Sequence, residues 1–156
     1  MTLNLKFLTL FSINLSLSCF WCGNLSAKNL PAKIDPVIAQ KLCDQDDLVA
    51  CIRLATYYER AGQITKATPI FQKSCYASDH LSCLKLADIE KKQNNIAETM
   101  RWLRAACRAP SSTGEGCFQI ALIAKNQGLK PETKLWMTKA CKKGHAQACK
   151  TGKKAP

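Results

Sequence analysis

The chain has 156 residues, of which ten are cysteine, and it carries 23 Lys and Arg against 11 Asp and Glu, a net charge of +12. This length fits one compact domain and excludes most multidomain enzymes, and the low numbers of glycine and proline, 7 and 6, exclude collagen-like and low-complexity chains. The excess of positive charge favours an acidic partner over a basic one.

The first 27 residues have the order of a secretory signal peptide. One Lys is followed by an apolar run of about 15 residues, from Phe7 to Trp21, and then by small residues that end at Ala27. A membrane span needs roughly 20 largely apolar residues, and this run is shorter and is interrupted by polar side chains. Residues 1–27 are therefore predicted to be removed on export, which leaves about 129 residues, a charge of about +11 and no stable membrane anchor.

Two cysteines lie in this leader and eight follow it. Cys19 and Cys22 have the spacing of a redox or metal motif, which inside a hydrophobic leader is attributed to chance, and Ser16 stands where a lipoprotein signal would have Leu. The even number that remains favours four disulfides in an oxidising compartment, and hence a secreted or periplasmic protein. The eight are Cys43, Cys51, Cys75, Cys83, Cys107, Cys117, Cys141 and Cys149.

These eight cysteines form four pairs that mark an internal repeat. The second Cys of each pair is followed by the first Cys of the next after 24 residues, whereas the separation within a pair is 8, 8, 10 and 8 residues. A period of 32 to 34 residues is typical of helical-hairpin arrays. The constant block is predicted to be rigid, and the segment inside a pair to be a loop that accepts an insertion at residues 110–114. Before the first pair, residues 28–42 are predicted to form an N-terminal capping segment, with a helix start at Asp35 and Pro36.

Each constant block contains two apolar stripes at helical spacing, which predict a helix A and a helix B. Helix A begins near the Cys and includes Leu54 and Ala55 in the first block. Its predicted ends are residues that accept a left-handed conformation, eleven positions after the Cys. They are Gly62, Asn94 and Gly128. The stripe of helix B consists of Ile70, Phe71, Trp102, Leu103, Trp136 and Met137.

Helix B carries start signals in two of the three blocks. Asn95 with Glu98 three residues later is a capping-box variant, and Pro131 fits an early helical position. Pro69 is predicted to be compatible with its helix only if it lies in the first turn.

The cysteine spacing indicates where the chain reverses. On one helix, residues eight apart lie about 12 Å apart along the axis, whereas the Cα atoms of a disulfide lie within about 7 Å. Each bridge is therefore predicted to join the end of helix B to the start of the next helix A, and its loop of about nine residues gives about 2.6 kcal/mol in the chain-entropy model. Residues 43–150 are predicted to form this repeat domain and residues 151–156 a basic tail.

The first block also carries a set of residues that resembles a known repeat. The set is Cys51, Leu54, Ala55, Tyr58, Gly62, Ala67, Phe71, Ser74 and Cys75. It resembles the Sel-one-like repeat (SLR), a tetratricopeptide-like (TPR-like) helical repeat, and the paired cysteines resemble the Helicobacter cysteine-rich protein (Hcp) family. The resemblance implies an all-α fold: an α/α superhelical solenoid of about three SLR/TPR-like hairpins stapled by disulfides. It also implies a concave surface, lined by helix A, that binds a protein or peptide partner.

Transfer of the groove-lining positions of the SLR family to this chain gives nine candidate binding residues. Basic side chains outnumber acidic ones among them, which favours an acidic or carboxylate-bearing ligand. The same residues also fit the solvated face of three amphipathic helices. The protein is predicted to be a monomer that needs no cofactor. The nine are Thr56, Glu59, Arg60, Asp88, Lys91, Lys92, Leu122, Lys125 and Asn126.

An alternative function is a β-lactam-binding or β-lactamase-like hydrolase, because such activities are described in the Hcp family that the chain resembles. Ser82 and Lys85 fit Ser-x-x-Lys, residues 150–152 fit Lys-Thr-Gly, and residues 78–80 approach Ser-Asp-Asn. The Ser-Asp element precedes the nucleophile here, which is the wrong order, and the chain is about half the expected length. These matches are attributed to chance, and no catalytic residue is assigned.

Metal and nucleic acid are also disfavoured as ligands. His80 and His145 each lie between paired cysteines, but the Cys107 to Cys117 segment has no His and export favours disulfides over thiolates. The lysines near the C-terminus lack the interleaved aromatic residues of a nucleic-acid surface. These lysines are Lys139, Lys142, Lys143, Lys150, Lys153 and Lys154.

Overall fold

The computed structural model describes residues 35–152, and the regular structure in this range is entirely helical. Each helix makes its main contacts with the helix that follows it in the chain. The all-α fold and the consecutive packing expected of helical hairpins are thereby confirmed. The predicted leader at residues 1–27, residues 28–34 of the predicted capping segment and residues 153–156 of the predicted tail lie outside the described residues. The helices are α1 (Pro36–Asp44), α2 (Leu48–Arg60), α3 (Ile64–Tyr76), α4 (His80–Lys92), α5 (Ile96–Arg108), α6 (Glu115–Asn126), α7 (Lys130–Lys142) and α8 (Ala146–Gly152).

The predicted hairpins correspond to pairs of these helices. Helices α2, α4 and α6 are the three A helices, and α3, α5 and α7 are the B helices. Helix α1 begins at Pro36 with Asp35 as its N-cap, where the sequence predicts a helix start, and continues across residues 42 and 43. Helix α8 is the beginning of a fourth A helix.

All four disulfides join neighbouring cysteines across the turn between one helix and the next, as the spacing predicts. The bridged Cα atoms are 4.6 to 4.9 Å apart. Each bridge links the end of α1 or of a B helix to the start of the following A helix. The bridges are Cys43–Cys51, Cys75–Cys83, Cys107–Cys117 and Cys141–Cys149.

The turns inside the hairpins have the left-handed residue that the sequence predicts. Gly62, Asn94 and Gly128 have φ values of 72, 57 and 73 degrees and directly precede the residue that caps the B helix. The B-helix starts also follow prediction in part. Asn95 accepts a hydrogen bond from the Glu98 amide at 3.4 Å, and Pro131 lies in the first turn of α7.

Pro69 does not lie in the first turn of its helix, so that prediction is wrong. It is the sixth residue of α3 and leaves the carbonyl of Thr65 without its helical donor. Both residues are exposed, so water can bond to this carbonyl. The stripe behind it, with Phe71 buried, keeps the helix in place.

Aspartate caps at the A helices are a feature that the sequence analysis missed. Asp47 and Asp79 stand four residues before the second Cys of their pairs and accept hydrogen bonds from the amides of Ala50 at 3.0 Å and Ser82 at 2.8 Å. His145 occupies the same position before α8, where its Nδ1 accepts from the Ala148 amide at 3.2 Å. These caps fix where α2, α4 and α8 begin, whereas α6 begins after Gly114 without a side-chain cap.

A small residue precedes the second Cys of every pair and lets the A helix approach the preceding helix closely. At Gly116 a Cβ atom would lie 2.7 Å from the carbonyl oxygen of Leu103, which shows how near α6 comes to α5. The four small residues are buried. They are Ala50, Ser82, Gly116 and Ala148.

The predicted apolar stripes of the A and B helices pack against each other and form the core. Phe71 and Trp102 from B helices pack with Leu86 and Ile120 from A helices in one cluster. Trp136, from α7, is only partly buried.

Candidate functional site

The nine predicted binding residues lie toward the C-terminal ends of α2, α4 and α6, three on each helix at corresponding positions. None of them is buried. We refer to this set as the A face. The corresponding triplets are Thr56, Asp88 and Leu122; Glu59, Lys91 and Lys125; and Arg60, Lys92 and Asn126.

One member of the A face is already paired. The ammonium group of Lys85, on α4, donates to both carboxylate oxygens of Glu59, on α2, at 2.9 and 3.1 Å. The hydroxyl of Thr56 donates to the Ile52 carbonyl of its own helix at 2.7 Å. The pair joins two consecutive A helices and neutralises one of the two carboxylates of the A face.

The cations of the A face are not paired in this way. Arg60, Lys91, Lys92 and Lys125 lie in the last turns of their helices and form no ion pair with another residue between 35 and 152. Positive charge at a helix C-terminus is stabilised by the helix dipole, so these side chains also favour the fold. They remain available to an anion from outside.

Other cations hold the fold together. Lys73 lies 2.8 Å from the Asp46 carboxylate and donates to the Cys43 carbonyl at 2.8 Å, which ties α3 to the turn before α2. A hydrogen bond from Lys73, together with the charge of that side chain, lowers the pKa of Asp46. These contacts occupy the Lys73 ammonium group, so it is not available to a ligand.

A second cationic surface lies on the B helices, where the sequence analysis placed no site. A cleft of about 520 Å³ between α5 and α7 is lined by Trp136, Cys107 and five basic side chains. In the sequence, the basic residues of each helix are three or four positions apart, a spacing that places them on one side of that helix. We call this the basic cleft. Its basic residues are Arg104, Arg108, Lys139, Lys142 and Lys143.

A neighbouring cleft of about 460 Å³ shares Arg108 with the basic cleft, but only two of the residues that line it are basic. Its Arg101 guanidinium lies 3.9 Å above the ring of Trp102 and bonds to Glu98 at 2.6 Å. Burial opposes the charge of Arg101, but hydrogen bonds to Tyr76 and Glu98 outweigh that effect and raise its pKa. This arginine is therefore already occupied by internal contacts.

The residues that match Ser-x-x-Lys do not form a nucleophile and base. Ser82 is 1% exposed and its hydroxyl has no hydrogen-bond partner, while Lys85 is held by Glu59. A serine nucleophile needs a base within hydrogen-bond distance. Ser82 also fills the small-residue position that Ala50 and Ala148 occupy in other pairs, which explains its presence by packing.

We expect Ser82→Ala to leave the free energy of unfolding unchanged or to raise it by up to about 1 kcal/mol, because it removes a buried hydroxyl without a partner. The measurement is urea unfolding, combined with an assay of nitrocefin turnover. Thr99→Ala is the matched control: this hydroxyl is equally buried but donates to the Asn95 carbonyl at 2.8 Å, so its removal should cost about 1–3 kcal/mol. Nitrocefin turnover in the parent protein that vanished in Ser82→Ala would contradict the packing role.

The two histidines contact residues in neighbouring turns and at the start of a neighbouring helix. The Nδ1 atom of His80 lies 3.0 Å from the Ser111 hydroxyl. His145 stacks on Phe118 at 4.1 Å between ring centroids, and its Nε2 lies 2.9 Å from a Glu115 carboxylate oxygen. The thiolates that a metal site at these histidines would use are joined in disulfides.

Comparison with known proteins finds no matching family model, no matching curated protein and no matching solved structure. Among the described helices, none has the length and apolar character needed to cross a membrane. The four disulfides indicate that the chain folds in an oxidising environment.

Proposed function

We propose that this chain is an exported SLR-type scaffold, an α/α superhelical solenoid closed by disulfides, which binds an acidic protein or peptide through its A face. The observation that carries the proposal is that each of the three A helices ends in at least one cation, at one or both of two adjacent positions, that forms no ion pair with a described residue. These cations are Arg60 on α2, Lys91 and Lys92 on α4, and Lys125 on α6. Export through residues 1–27 supplies the oxidising compartment that the disulfides need. The scaffold acts as a monomer and uses no cofactor.

The spacing of these cations suits an extended acidic segment. The Lys85–Glu59 pair joins α2 to α4, and Ala55, Leu86 and Ile120 from the three A helices belong to one buried cluster. Helices that pack together lie about 8–10 Å apart. A peptide in the polyproline II conformation has three residues per turn and rises about 3.1 Å per residue, so carboxylates three residues apart lie on the same side, about 9 Å apart. One cationic site per A helix therefore matches one acidic side chain in every three residues of the ligand.

Reversal of charge on α4 tests this surface. We expect Lys91→Glu with Lys92→Glu to weaken binding of a fluorescein-labelled glutamate decapeptide about tenfold, because two attractive contacts become repulsive. Fluorescence anisotropy measures the binding, and the affinity of the parent protein should fall as salt is raised.

The matched control is Lys130→Glu with Lys134→Glu, which makes the same change in net charge at exposed positions of α7 outside both cationic surfaces. Circular dichroism checks that both variants remain folded. Equal binding by the α4 variant and the parent, or an equal loss in the α7 control, would contradict binding at the A face.

A further inference from the structure

The basic cleft brings five positive side chains together with no acidic residue among those that line it. Arg104 and Arg108 come from successive turns of α5, and the three lysines come from the last turns of α7 and the residue after it. None of the five forms an ion pair with a described residue. Like charges this close repel one another, so an anion bound between them would stabilise the fold.

The cleft is also held in a fixed shape. Cys107 at its base is 5% exposed and is bridged to Cys117. The Lys143 ammonium donates to the Ala109 carbonyl at 3.3 Å and so ties the end of α7 to the end of α5. A preformed cleft of about 520 Å³ has the volume of a site for a side chain or a small ligand.

The surface of the cleft is mostly apolar, although five of the seven residues that line it are basic. Trp136 and Cys107 contribute with the aliphatic stems of the basic residues, and apolar atoms make up most of the cleft surface. The Lys139 ammonium lies over the Trp136 ring, 4.3 Å from its centroid. An apolar group that enters the cleft would therefore contact Trp136 while its neighbours contact the cations.

This arrangement distinguishes between anionic ligands. A single-stranded nucleic acid stacks successive bases on several aromatic side chains, but Trp136 is the one aromatic residue among those that line the cleft. A bilayer presents its charged headgroups first, and its acyl chains would have to pass them to reach the apolar atoms of Trp136 and Cys107. A free phosphate would use the cations and leave the apolar walls uncovered. A short peptide with one apolar side chain between carboxylates uses both.

We propose that the basic cleft is a second binding site, separate from the A face, which takes an acidic peptide segment through one apolar side chain flanked by carboxylates. The apolar side chain lies against Trp136, and the flanking carboxylates bond to Arg104 and Arg108 on one wall and to the lysines of α7 on the other. Arginine forms two parallel hydrogen bonds with a carboxylate, so Arg104 and Arg108 on α5 orient the bound peptide.

The test uses the full oxidised chain and a fluorescein-labelled peptide of four glutamates around a central phenylalanine. Arg104→Glu with Lys142→Glu should weaken binding about tenfold or more, since both residues are exposed and neither is used in an internal hydrogen bond. Replacing the central phenylalanine by glycine should weaken binding to the parent about tenfold. Inorganic phosphate, an oligothymidylate and vesicles of anionic phospholipid serve as competitors.

Each outcome decides the proposal. Loss of binding in the cleft variant but not in the Lys130→Glu, Lys134→Glu control, with a requirement for phenylalanine, supports it. Equal binding by the glycine peptide, or displacement by phosphate, oligothymidylate or vesicles at lower concentration than the unlabelled peptide, overturns it. Loss in Lys91→Glu with Lys92→Glu and retention in the cleft variant would also overturn it while leaving binding at the A face intact.

Discussion

Reduction of the four disulfides is expected to unfold this protein at room temperature and neutral pH. Each bridge closes a loop of about nine residues, which stabilises the native state by about 2.6 kcal/mol, or about 10 kcal/mol for four if their effects add. That is comparable with the whole stability of a typical domain. The helices contact mainly their neighbours in the chain, so few distant contacts remain to replace the bridges. Far-ultraviolet circular dichroism during titration with dithiothreitol measures the effect.

A single bridge gives the graded control. Cys75→Ala with Cys83→Ala should lower the free energy of unfolding by about 2.6 kcal/mol and leave a folded protein, because the other three bridges remain. Urea unfolding of this variant beside the parent measures the difference. A fully reduced chain that kept its helical signal and its unfolding midpoint would show that the bridges do not stabilise the fold.

Removal of the Phe71 side chain should have the next largest effect, a loss of about 3–5 kcal/mol in the free energy of unfolding. Phe71 is 1% exposed and packs in the main core cluster with Leu86 and Trp102, which belong to two later helices. Phe71→Ala would leave a cavity that α3, pinned by the bridge at Cys75, is poorly able to close. Urea unfolding followed by circular dichroism gives the value.

Leu135→Ala is the control for this substitution. Leu135 also lies in a B helix but is 50% exposed, so its truncation should change the free energy of unfolding by no more than about 0.5 kcal/mol. Similar losses in both variants would mean that the core does not follow the stripe of helix B.

The cysteine register explains why so much of the fold could be predicted from the sequence. Because the block between the pairs is always 24 residues long, the chain can change length only in the loops between paired cysteines. The turn residues Gly62 and Gly128 stand at the same position in their blocks. The insertion at residues 110–114 fell in one of these loops and lengthened the connection from α5 to α6. Local chemistry, repeated three times, was sufficient for the turns, the bridges and the core.

The features that could not be predicted depend on contacts between helices. Pro69 is tolerated in the middle of α3 because its side of the helix is exposed, which a single sequence does not reveal. Ser82 matches a catalytic motif, but its role follows from the close approach of helices at the position shared with Gly116.

The basic cleft was missed for a related reason. Arg104 and Lys139 are far apart in sequence and meet only because α5 and α7 present the same side to one cavity. In the sequence, Lys139 and Lys142 are grouped with the other lysines near the C-terminus, which do not have the pattern of a nucleic-acid surface. The nine A-face residues, by contrast, could be proposed because the resemblance to the SLR family supplied groove-lining positions to transfer to each helix A.

The most direct test of ligand binding along the A helices is an NMR titration of the oxidised protein with the glutamate decapeptide. We expect the largest amide shift changes near Arg60, Lys91 and Lys125, at the ends of α2, α4 and α6, and all three regions should titrate with one dissociation constant. Shift changes confined to a single helix or to the C-terminal lysines, or no shift changes at all, would contradict it.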